Sequence, residues 1–410
     1  MGCLRRAVLL LAGAVACASP APPPPAPAPA PFPVAQPTDS TAREAAPAAP
    51  VRRHGTAAVR FAFVGDINLG TATLPDGVPS DSGRALLAAA RPALVGDLVL
   101  GNFEGVLADS GETEKCGKKR AVVWRGVTQK PAPPPRQKPR ARRKKKTAPP
   151  IPCFAFLTPT LLAPRLADAG FTHLNLANNH ANDFGLDGRR STEATLASHG
   201  LETYGPLGRI VIDTVRRGGG VTTVGVIGFT TYPFAYDLLD IPASAAVVDS
   251  VHQLVDVLIV TFHGGAEGSA ALHLPFAAES LGREPRGDLR AWAHAVVDAG
   301  ADLVVGHGPH VLRGVEFWKG KPIVYSLGNF ATYRGFNLAG PQAVTAVLQV
   351  ELAGDGRLIQ ARLVPMRQLP LEGPAPDPDA AALRLVRDLS ADDFGPTAAR
   401  VGDDGVLAPP

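Results

Sequence analysis

Residues 59–66 read VRFAFVGD, an apolar run that ends in glycine and aspartate. Aromatic and β-branched residues favour a β-strand, and the glycine and aspartate mark the end of that strand. Residues 94–100 follow the same plan and run into the sequence GNFE, which ends at Glu104. The folded part of the chain therefore opens with apolar strands that each end in polar residues.

The chain has 410 residues, and 45% of them are apolar, which is enough for one large domain or two medium ones. Strands and helices alternate at first, and hairpins follow. Helices are expected over 158–170, 188–199, 288–299 and 379–389, further strands over 171–176, 221–229, 255–262 and 303–305, and hairpin strands over 315–318 with 322–326 and 344–352 with 358–364. This order predicts an α/β fold with a mixed sheet or two sheets.

Polar side chains follow the carboxyl ends of these predicted strands. They are Asp66, Glu104, Asn179, His180, His263, His307 and His310. The carboxyl ends of strands in α/β sheets converge on one crevice, so we expect these side chains to lie together. Carboxylate, amide and imidazole donors suit Mn, Fe or Zn, and a shared carboxylate can hold two ions about 3.5–4 Å apart. The pattern predicts a divalent metal site with one or two ions.

Six short blocks in chain order resemble one family. They read FVGDINLG (63–70), GNFEG (101–105), LANNHANDFG (176–185), HGGAE (263–267), GHGPH (306–310) and YSLGNF (325–330). The chain resembles the CapA family of poly-γ-glutamate capsule proteins, within the calcineurin-like metallophosphoesterase superfamily. The resemblance implies two β-sheets packed face to face and flanked by helices, over residues 58–372.

The resemblance also implies roles for the polar residues. Asp66 would bind the first metal, Glu104 would stand at the bridging position, and Asn179 would bind the second metal. His180 would act as a general acid or charge stabiliser, oriented by Asp183 through a hydrogen bond. The remaining imidazole ligands would be His263, His307 and His310.

Some positions depart from the phosphoesterase pattern or have two interpretations. Asn68 stands where that pattern has histidine, and it is either a ligand or a bystander. Glu267 is either a substrate contact or a solvated loop residue. Tyr325 and Asn329 either line the site or serve in packing and turn formation.

The N-terminus reads as an export signal. Two arginines precede a ten-residue apolar run over 7–16, which is too short to span a bilayer, and Cys17 follows in a lipobox-like setting. Lipidation of Cys17, simple cleavage and an uncleaved anchor remain alternatives. Residues 18–57 follow as a Pro/Ala-rich linker, with ten prolines over 20–37. We expect a periplasmic or outer-envelope lipoprotein held at the membrane by its lipid anchor.

A basic insertion spans residues 115–150. It holds 14 of the lysines and arginines and no acid, so the rest of the chain carries −10 against a total of +4. Its expected partner is an anionic lipid or polymer, or it is simply a solvated loop, and no nucleic acid is expected. Cys116 and Cys153 bracket the insertion, either as a disulfide or as two unpaired thiols. Residues 373–410 are expected to form a C-terminal helix and tail.

Together these features predict an exported CapA-like protein with a hydrolase-like metal site. It would act on an anionic polymer or phosphoester in the synthesis, export or trimming of a poly-γ-glutamate-type capsule, within a capsule synthesis complex. One alternative is a non-enzymatic envelope assembly or polymer-binding factor with a degenerate metal site. Another is a general metallophosphoesterase with no role in capsules.

Overall fold

The computed structural model describes residues 54–117, 119–126 and 154–410. The predicted signal peptide and lipobox (1–17) with Cys17, the linker up to residue 53, Cys153 and most of the basic insertion lie outside the described residues. Within the described part of the chain, no helix is long and apolar enough to cross a membrane.

The described residues form five α-helices and twenty-three strands, several of them very short. The helices are α1 (Pro164–Ala169), α2 (Gly185–Ser198), α3 (Ile241–His252), α4 (Leu289–Asp298) and α5 (Ala381–Phe394). The strands are β1 (Val59–Asn68), β2 (Leu98–Phe103), β3 (Val106–Leu107), β4 (Ser110–Thr113), β5 (Arg120–Val123), β6 (Leu157–Thr158), β7 (His173–Asn175), β8 (Glu202–Tyr204), β9 (Val211–Arg217), β10 (Gly220–Thr230), β11 (Tyr236–Asp237), β12 (Val257–His263), β13 (Glu279–Leu281), β14 (Glu284–Gly287), β15 (Leu303–His307), β16 (Val315–Trp318), β17 (Lys321–Val324), β18 (Asn329–Thr332), β19 (Val344–Leu352), β20 (Leu358–Leu369), β21 (Gly373–Pro376), β22 (Arg400–Val401) and β23 (Leu407–Ala408). Short 3-10 turns lie at Arg91–Ala93, Lys115–Gly117, Thr160–Leu162, Gly340–Ala343 and Gly395–Thr397.

Two large sheets form the frame of the described residues. The first has the order β21-β20-β19-β1-β2-β7-β8, with β18 also paired to β1. The second has the order β11-β10-β12-β15-β17-β16, with β9 also paired to β10. In each sheet the central strands run parallel and the hairpin strands run antiparallel.

The two sheets share one apolar core. In β1, Phe61 and Phe63 face this core, which also contains Val226, Ile259 and Val305 from the second sheet. Side chains alternate between the two faces of a strand, so the intervening residues of β1 point to the opposite face. Because both sheets contribute to the same buried cluster, they pack face to face as a sandwich.

Helices cover the outer faces of the sandwich. On the first sheet, Ala62 and Val64 of β1 share a buried cluster with Leu166 of α1 and Leu196 of α2. On the second sheet, helices α3 and α4 join the outer cluster, where Trp292 is fully buried. The predicted fold class, two β-sheets face to face and flanked by helices, is confirmed.

The predicted start of the first helix is wrong. Thr158 belongs to strand β6, and its hydroxyl donates to the carbonyl of Gly70 at 2.8 Å, so it does not cap a helix. Helix α1 begins only at Pro164, and Gly170 ends it with a φ of 101°, as expected of a glycine at that position. Helix α3 was missed, although Asp240 caps it by accepting the N–H of Ala243.

The domain is longer at both ends than predicted. The N–H of Thr56 donates to the carbonyl of Val221, so the linker ends before residue 57. Residues 373–410, predicted as a C-terminal helix and tail, do contain a helix, α5, which packs on the sandwich core, and they also supply β21, which pairs with β20. Pairing and burial hold this segment in place because it supplies both an edge strand and an apolar helix face.

A buried glutamate, Glu316, ties the C-terminal segment to the second sheet. Burial alone would raise the pKa of Glu316, but hydrogen bonds from His294, Arg290, Thr397 and Tyr325 lower it to about 2. Because a lowered carboxyl pKa stabilises the fold only while the group is ionised, this contribution is present above about pH 4.5 and is lost as the pH falls toward 2.

Glu316→Gln should therefore destabilise the protein by about 2 kcal/mol at pH 7, with the difference shrinking below about pH 4.5. Urea unfolding of the variant and the wild type at pH 7, 5 and 3.5 measures this difference. A difference that stays constant across these pH values would contradict the assignment.

Candidate metal centre

The carboxyl ends of the strands in both sheets meet at one place. Asp66 on β1 lies beside Asn102 on β2, and His263 on β12 lies beside His307 on β15, in parallel register. The side-chain amide of Asn102 donates to Oδ1 of Asp66 at 2.9 Å and lies 3.3 Å from Nδ1 of His263. Asn102 therefore joins the two sheets directly at the site.

Gly65 allows β1 to place Asp66 here. A Cβ at residue 65 would lie 1.8 Å from the carbonyl oxygen of Gly328, which accepts the N–H of Asp66 at 2.9 Å. Only glycine permits so close an approach of two backbones. The pairing of β1 with β2 also shifts register between Phe63 and Asp66.

Glu104 is fully buried, and neither of its carboxylate oxygens has a hydrogen-bond partner. Three imidazole nitrogens surround Oε1 of Glu104: Nε2 of His180 at 3.9 Å, of His263 at 4.0 Å and of His310 at 3.8 Å. These distances are too long for hydrogen bonds. Two ligand atoms that each lie about 2.1 Å from one ion are about 3–4 Å apart, so the spacing suits a shared cation.

Asp66 forms the other half of the site. Its Oδ2 lies 2.9 Å from Nδ1 of His310, and its Oδ1 lies 3.8 Å from Nδ1 of His307. Asp66, Glu104 and His263 each offer a ligand atom, and these three atoms lie within 4.8 Å of one another. The two carboxylates thus offer room for one ion or for a pair.

Other buried polar atoms at the site also lack hydrogen-bond partners. They are Nε2 of His263, Nδ1 of His307 and Oδ1 of Asn179. Buried polar groups are ordinarily paired, and leaving one unpaired costs about 1–3 kcal/mol. Oxygen and imidazole nitrogen are the donors that Mn, Fe and Zn accept, so these residues fit a divalent ion.

The electrostatics keep most of these imidazoles neutral. Burial lowers the pKa of His307 to about 4, despite the opposing charge of Asp66. Burial, with Arg286 nearby, holds the pKa of His263 well below its usual range. A neutral imidazole has a free lone pair, which a metal requires.

Two other residues at the site, Glu104 and His310, have raised pKa values. Burial raises the pKa of Glu104 well above its usual range. Burial would lower the pKa of His310, but Glu104, Asp66 and Glu267 raise it to about 10. In the absence of an ion, the site therefore holds protons that a divalent cation would displace.

His310 adopts an unusual backbone conformation, with a φ of 58°. This left-handed region costs a non-glycine residue about 1–2 kcal/mol. The side chain of Asn329 donates to the carbonyl of His310 at 3.3 Å and to that of Gln342 at 3.1 Å. Asn329 is fully buried and holds the His310 backbone, so the prediction that it contacts substrate is replaced by a positioning role.

His180 and Asp183 form a buried pair, as predicted. Oδ2 of Asp183 lies 2.6 Å from Nδ1 of His180 and also accepts the N–H of Phe156 at 2.7 Å. Burial lowers the pKa of His180, although Asp183 opposes the effect. A neutral His180 that donates its Nδ1 proton to Asp183 presents a bare Nε2 toward Glu104.

Asn68 has a different use from the predicted one. Its amide nitrogen donates to the carbonyl of Glu104 at 2.8 Å, and its oxygen accepts the N–H of Gly70 at 3.1 Å. Both polar atoms of the side chain serve the backbone beside Glu104. We therefore leave Asn68 out of the candidate ligand set.

The two remaining predicted substrate contacts, Glu267 and Tyr325, lie in different places. Glu267 lies at the edge of the site, where its Oε1 accepts from Arg286 at 2.7 Å and its Oε2 lies 3.8 Å from Nε2 of His310. Tyr325 is buried elsewhere, with its hydroxyl donating to Glu316 and its ring stacked on Phe394. The interpretation of Tyr325 as a substrate contact is wrong, because no face of it is open.

Comparison with known proteins finds one family that part of the chain resembles. The family described as "Bacterial capsule synthesis protein PGA_cap" matches residues 140–334. Over 206 residues, 47% of this chain, the sequence is 33% identical to the PGA biosynthesis protein CapA of Bacillus subtilis (strain 168). Over 239 residues, 55% of this chain, it is 34% identical to the capsule biosynthesis protein CapA of Bacillus anthracis. The chain is thus similar to the CapA proteins over about half of its length.

The two CapA proteins are longer than the matched region. The matches span 50% and 54% of them, so the chain covers about half the length of the curated relatives that it matches. Among solved structures, a 5'-nucleotidase precursor from Thermus thermophilus is 16% identical, with a TM-score of 0.38. That alignment covers 82% of this chain and 59% of the nucleotidase.

The predicted basic insertion contributes a residue to the site. Lys115 follows strand β4, and its ammonium donates to the carbonyl of Asn179 at 2.8 Å and to Oδ1 of Asp183 at 2.5 Å. The insertion therefore begins within a β-hairpin, β4–β5, that reaches the site. Cys116 is disulfide-bonded, and Cys153, its predicted partner, lies outside the described residues.

Sequence reasoning missed three residues at the site. Asn102 could have been predicted, since it is the penultimate residue of β2 and lies two positions before Glu104 in the same sequence block. The sequence gives no such indication for Lys115 and Arg286, because a lysine in a basic stretch and an arginine before a glycine resemble surface residues. Both contribute through partners distant in sequence, such as Asp183, 68 positions after Lys115.

Proposed function

We propose that this CapA-like chain is a metal-dependent hydrolase that acts on an anionic capsule polymer of the poly-γ-glutamate type, during its synthesis, export or trimming. Two relatives named for PGA or capsule biosynthesis support the choice of polymer. The observation that carries the catalytic part is the convergence of unpartnered, buried oxygen and nitrogen atoms on Glu104. A site that bound polymer without a metal would have no need to leave these atoms unpaired.

The residues that would hold one or two ions are Asp66, Glu104, Asn179, His263, His307 and His310. When bound, a divalent ion supplies Lewis acidity, which polarises a carbonyl or phosphoryl oxygen and makes water a stronger nucleophile at neutral pH. Asn68 lies outside this set, because both polar atoms of its side chain bind the backbone. The metal is Mn, Fe or Zn by the chemistry of its donors.

His180 handles the proton in this proposal. Asp183 fixes its ring through Nδ1, and Phe156 covers the ring with centroids 4.4 Å apart, which keeps bulk water from that face. The bare Nε2 accepts a proton from the attacking water and returns it to the leaving nitrogen or oxygen of the cleaved bond. Lys115 anchors Asp183 and the Asn179 backbone, so the pair stays aligned.

We also propose that the domain works outside the cytoplasm, as a lipoprotein in the periplasm or outer envelope, held by lipid on Cys17. The apolar run over 7–16 and the proline-rich stretch over 20–37 support this placement. The chain would then meet its polymer at the membrane, together with a capsule synthesis complex. Metabolic labelling with a fatty acid, compared between the wild type and Cys17→Ala, tests the anchor.

The test of catalysis uses the full-length chain loaded with Mn, Fe or Zn. Metal content is measured by mass spectrometry, and turnover is measured on γ-linked glutamate oligomers and on a phosphate ester. Asp183→Asn should keep the metal and lower turnover by about 10- to 100-fold, because it disturbs a group that orients His180. Asp168→Asn, at an exposed carboxylate paired with Arg165, serves as the matched control and should turn over like the wild type.

Two outcomes would contradict the hydrolase. If the wild type stays metal-free after each ion is supplied, the metal site is refuted. If it binds metal but cleaves neither probe, the site serves assembly or polymer binding. Cleavage of the phosphate ester alone would instead assign a general phosphoesterase.

A further inference from the structure

A line of aromatic rings leads away from the metal centre. Phe156 covers His180, and its ring stacks on that of Phe336 with centroids 5.1 Å apart. Phe336 meets His310 edge-on at 5.2 Å, and Phe154 also stacks on Phe156, with centroids 5.8 Å apart. These rings therefore separate the two histidines of the site from whatever lies beyond them.

A pocket of about 640 Å³ lies on the far side of these rings. Phe154 and Phe336 line it, together with Leu74, Pro75, Asp76 and the loop at residues 334–337. Its volume lies within the range of about 300–1,000 Å³ for small-ligand sites. Because Phe336 borders both the pocket and His310, an occupant would lie one ring away from the metal centre.

The loop that carries Phe336 is held in a defined shape. The side chain of Asn337 donates to Gln342 at 2.6 Å and accepts the N–H of Ala339 at 3.1 Å. Gly335 has a φ of 87°, and a Cβ there would lie 2.6 Å from the ring of Phe156. The pocket wall thus depends on a glycine and an asparagine that fit the loop to the ring.

The polar groups of the pocket are few and of opposite charge. Arg334 is exposed and has no hydrogen-bond or ion-pair partner among the described residues, and the same holds for Asp76, which also lines the pocket. One cation and one anion on an apolar wall do not suit a dense polyanion such as polyphosphate. They suit a unit with one carboxylate, an amide or amine, and an apolar spacer.

We propose that this pocket binds the glutamyl unit next to the bond at the metal centre. Arg334 binds the carboxylate of that unit, Asp76 accepts from its amide or amine, and its methylene groups pack on Phe336 and Leu74. The inference rests on the proposed function, since it takes the polymer to be γ-linked glutamate. It adds to that function the side of the metal centre on which the polymer lies. It also names the residue, Arg334, that binds the carboxylate of the polymer.

The test measures binding of a short γ-linked glutamate oligomer to the full-length chain by calorimetry, with and without metal. Arg334→Gln should weaken binding about tenfold or more, because it removes a charge-assisted hydrogen bond. Arg84→Gln is the matched control, since Arg84 is also exposed but lies at another pocket. Phe336→Leu, which keeps an apolar side chain but loses the ring, should weaken binding to a lesser extent.

Three results would overturn the proposal. The first is an Arg334→Gln variant that binds the oligomer as tightly as the wild type. The second is equal loss in Arg84→Gln, which would indicate general charge attraction. The third is Arg334-dependent binding of AMP without binding of the oligomer, which would assign the pocket to a nucleotide.

Binding and metal content are read separately from turnover. A chain that binds the oligomer through Arg334 but does not cleave it would refute the hydrolase and support the pocket. A chain that cleaves the oligomer equally well as wild type and as Arg334→Gln would support the hydrolase and refute the pocket.

Discussion

Glu104→Gln is expected to weaken metal binding by at least about 100-fold while leaving the metal-free protein as stable as the wild type or more stable. Even residues that only orient a ligand contribute about 10- to 100-fold to metal affinity, and Glu104 is itself a candidate ligand. The carboxylate is fully buried, has no hydrogen-bond partner and has a raised pKa. Glutamine is neutral at every pH, so the variant avoids the desolvation cost that raises the pKa of Glu104, worth up to about 2 kcal/mol in the absence of metal.

Metal titrations and thermal unfolding, with and without metal, measure both parts of this prediction. Glu316→Gln is the matched control, because the same change is made at a second buried glutamate whose oxygens are fully hydrogen-bonded. That control should lose stability and keep its metal. A Glu104→Gln variant that behaves in the same way as the control would show that Glu104 has a structural role.

Arg313→Met is expected to destabilise the protein by about 3–5 kcal/mol. Both Arg313 and Glu279 are buried, and the guanidinium donates to Oε1 at 2.6 Å and to Oε2 at 2.9 Å. Its Nε also donates to the carbonyl of Ala271 at 2.8 Å, so the pair holds the loop between β12 and β13. Removing the cation leaves a buried carboxylate whose remaining hydrogen bond comes from the N–H of Ala266 at 3.0 Å.

Urea unfolding at pH 7 measures this loss. The double variant Arg313→Met with Glu279→Leu is the control, and it should recover much of the stability because it removes both charges together. Arg290→Met, at a half-buried arginine on α4, should cost less because its side chain is 20% exposed. A loss below about 1 kcal/mol in Arg313→Met would show that solvent or another group replaces the cation.

Much of the site was readable from the strand pattern. Asp66, Glu104, His263 and His307 each lie at or just after a strand end, and parallel pairing places such residues side by side. The paired positions of His263 and His307 follow directly from that rule. Helix ends were predicted less accurately, because Thr158 is a residue type that caps helices but lies in strand β6.

The errors concern residues whose role depends on a distant partner. Tyr325 and Asn329 both lie in one family-like block, yet one belongs to the Glu316 cluster and the other supports His310. Asn68 was read as a candidate ligand, whereas its hydrogen bonds go to the backbone at Glu104, 36 positions later. The sequence alone does not show which neighbour a polar side chain will hydrogen-bond to.

The sequence by itself determined the apolar strands, the donor residues at their ends and the glycines beside them, because strand period and backbone freedom are local properties. Only the tertiary structure decided that Lys115 reaches Asp183, that Asn102 joins the two sheets and that Glu104 is left without a hydrogen-bond partner. These contacts join segments 36 to 161 residues apart. They follow from how two sheets pack, and the energy of a buried polar atom depends on that packing.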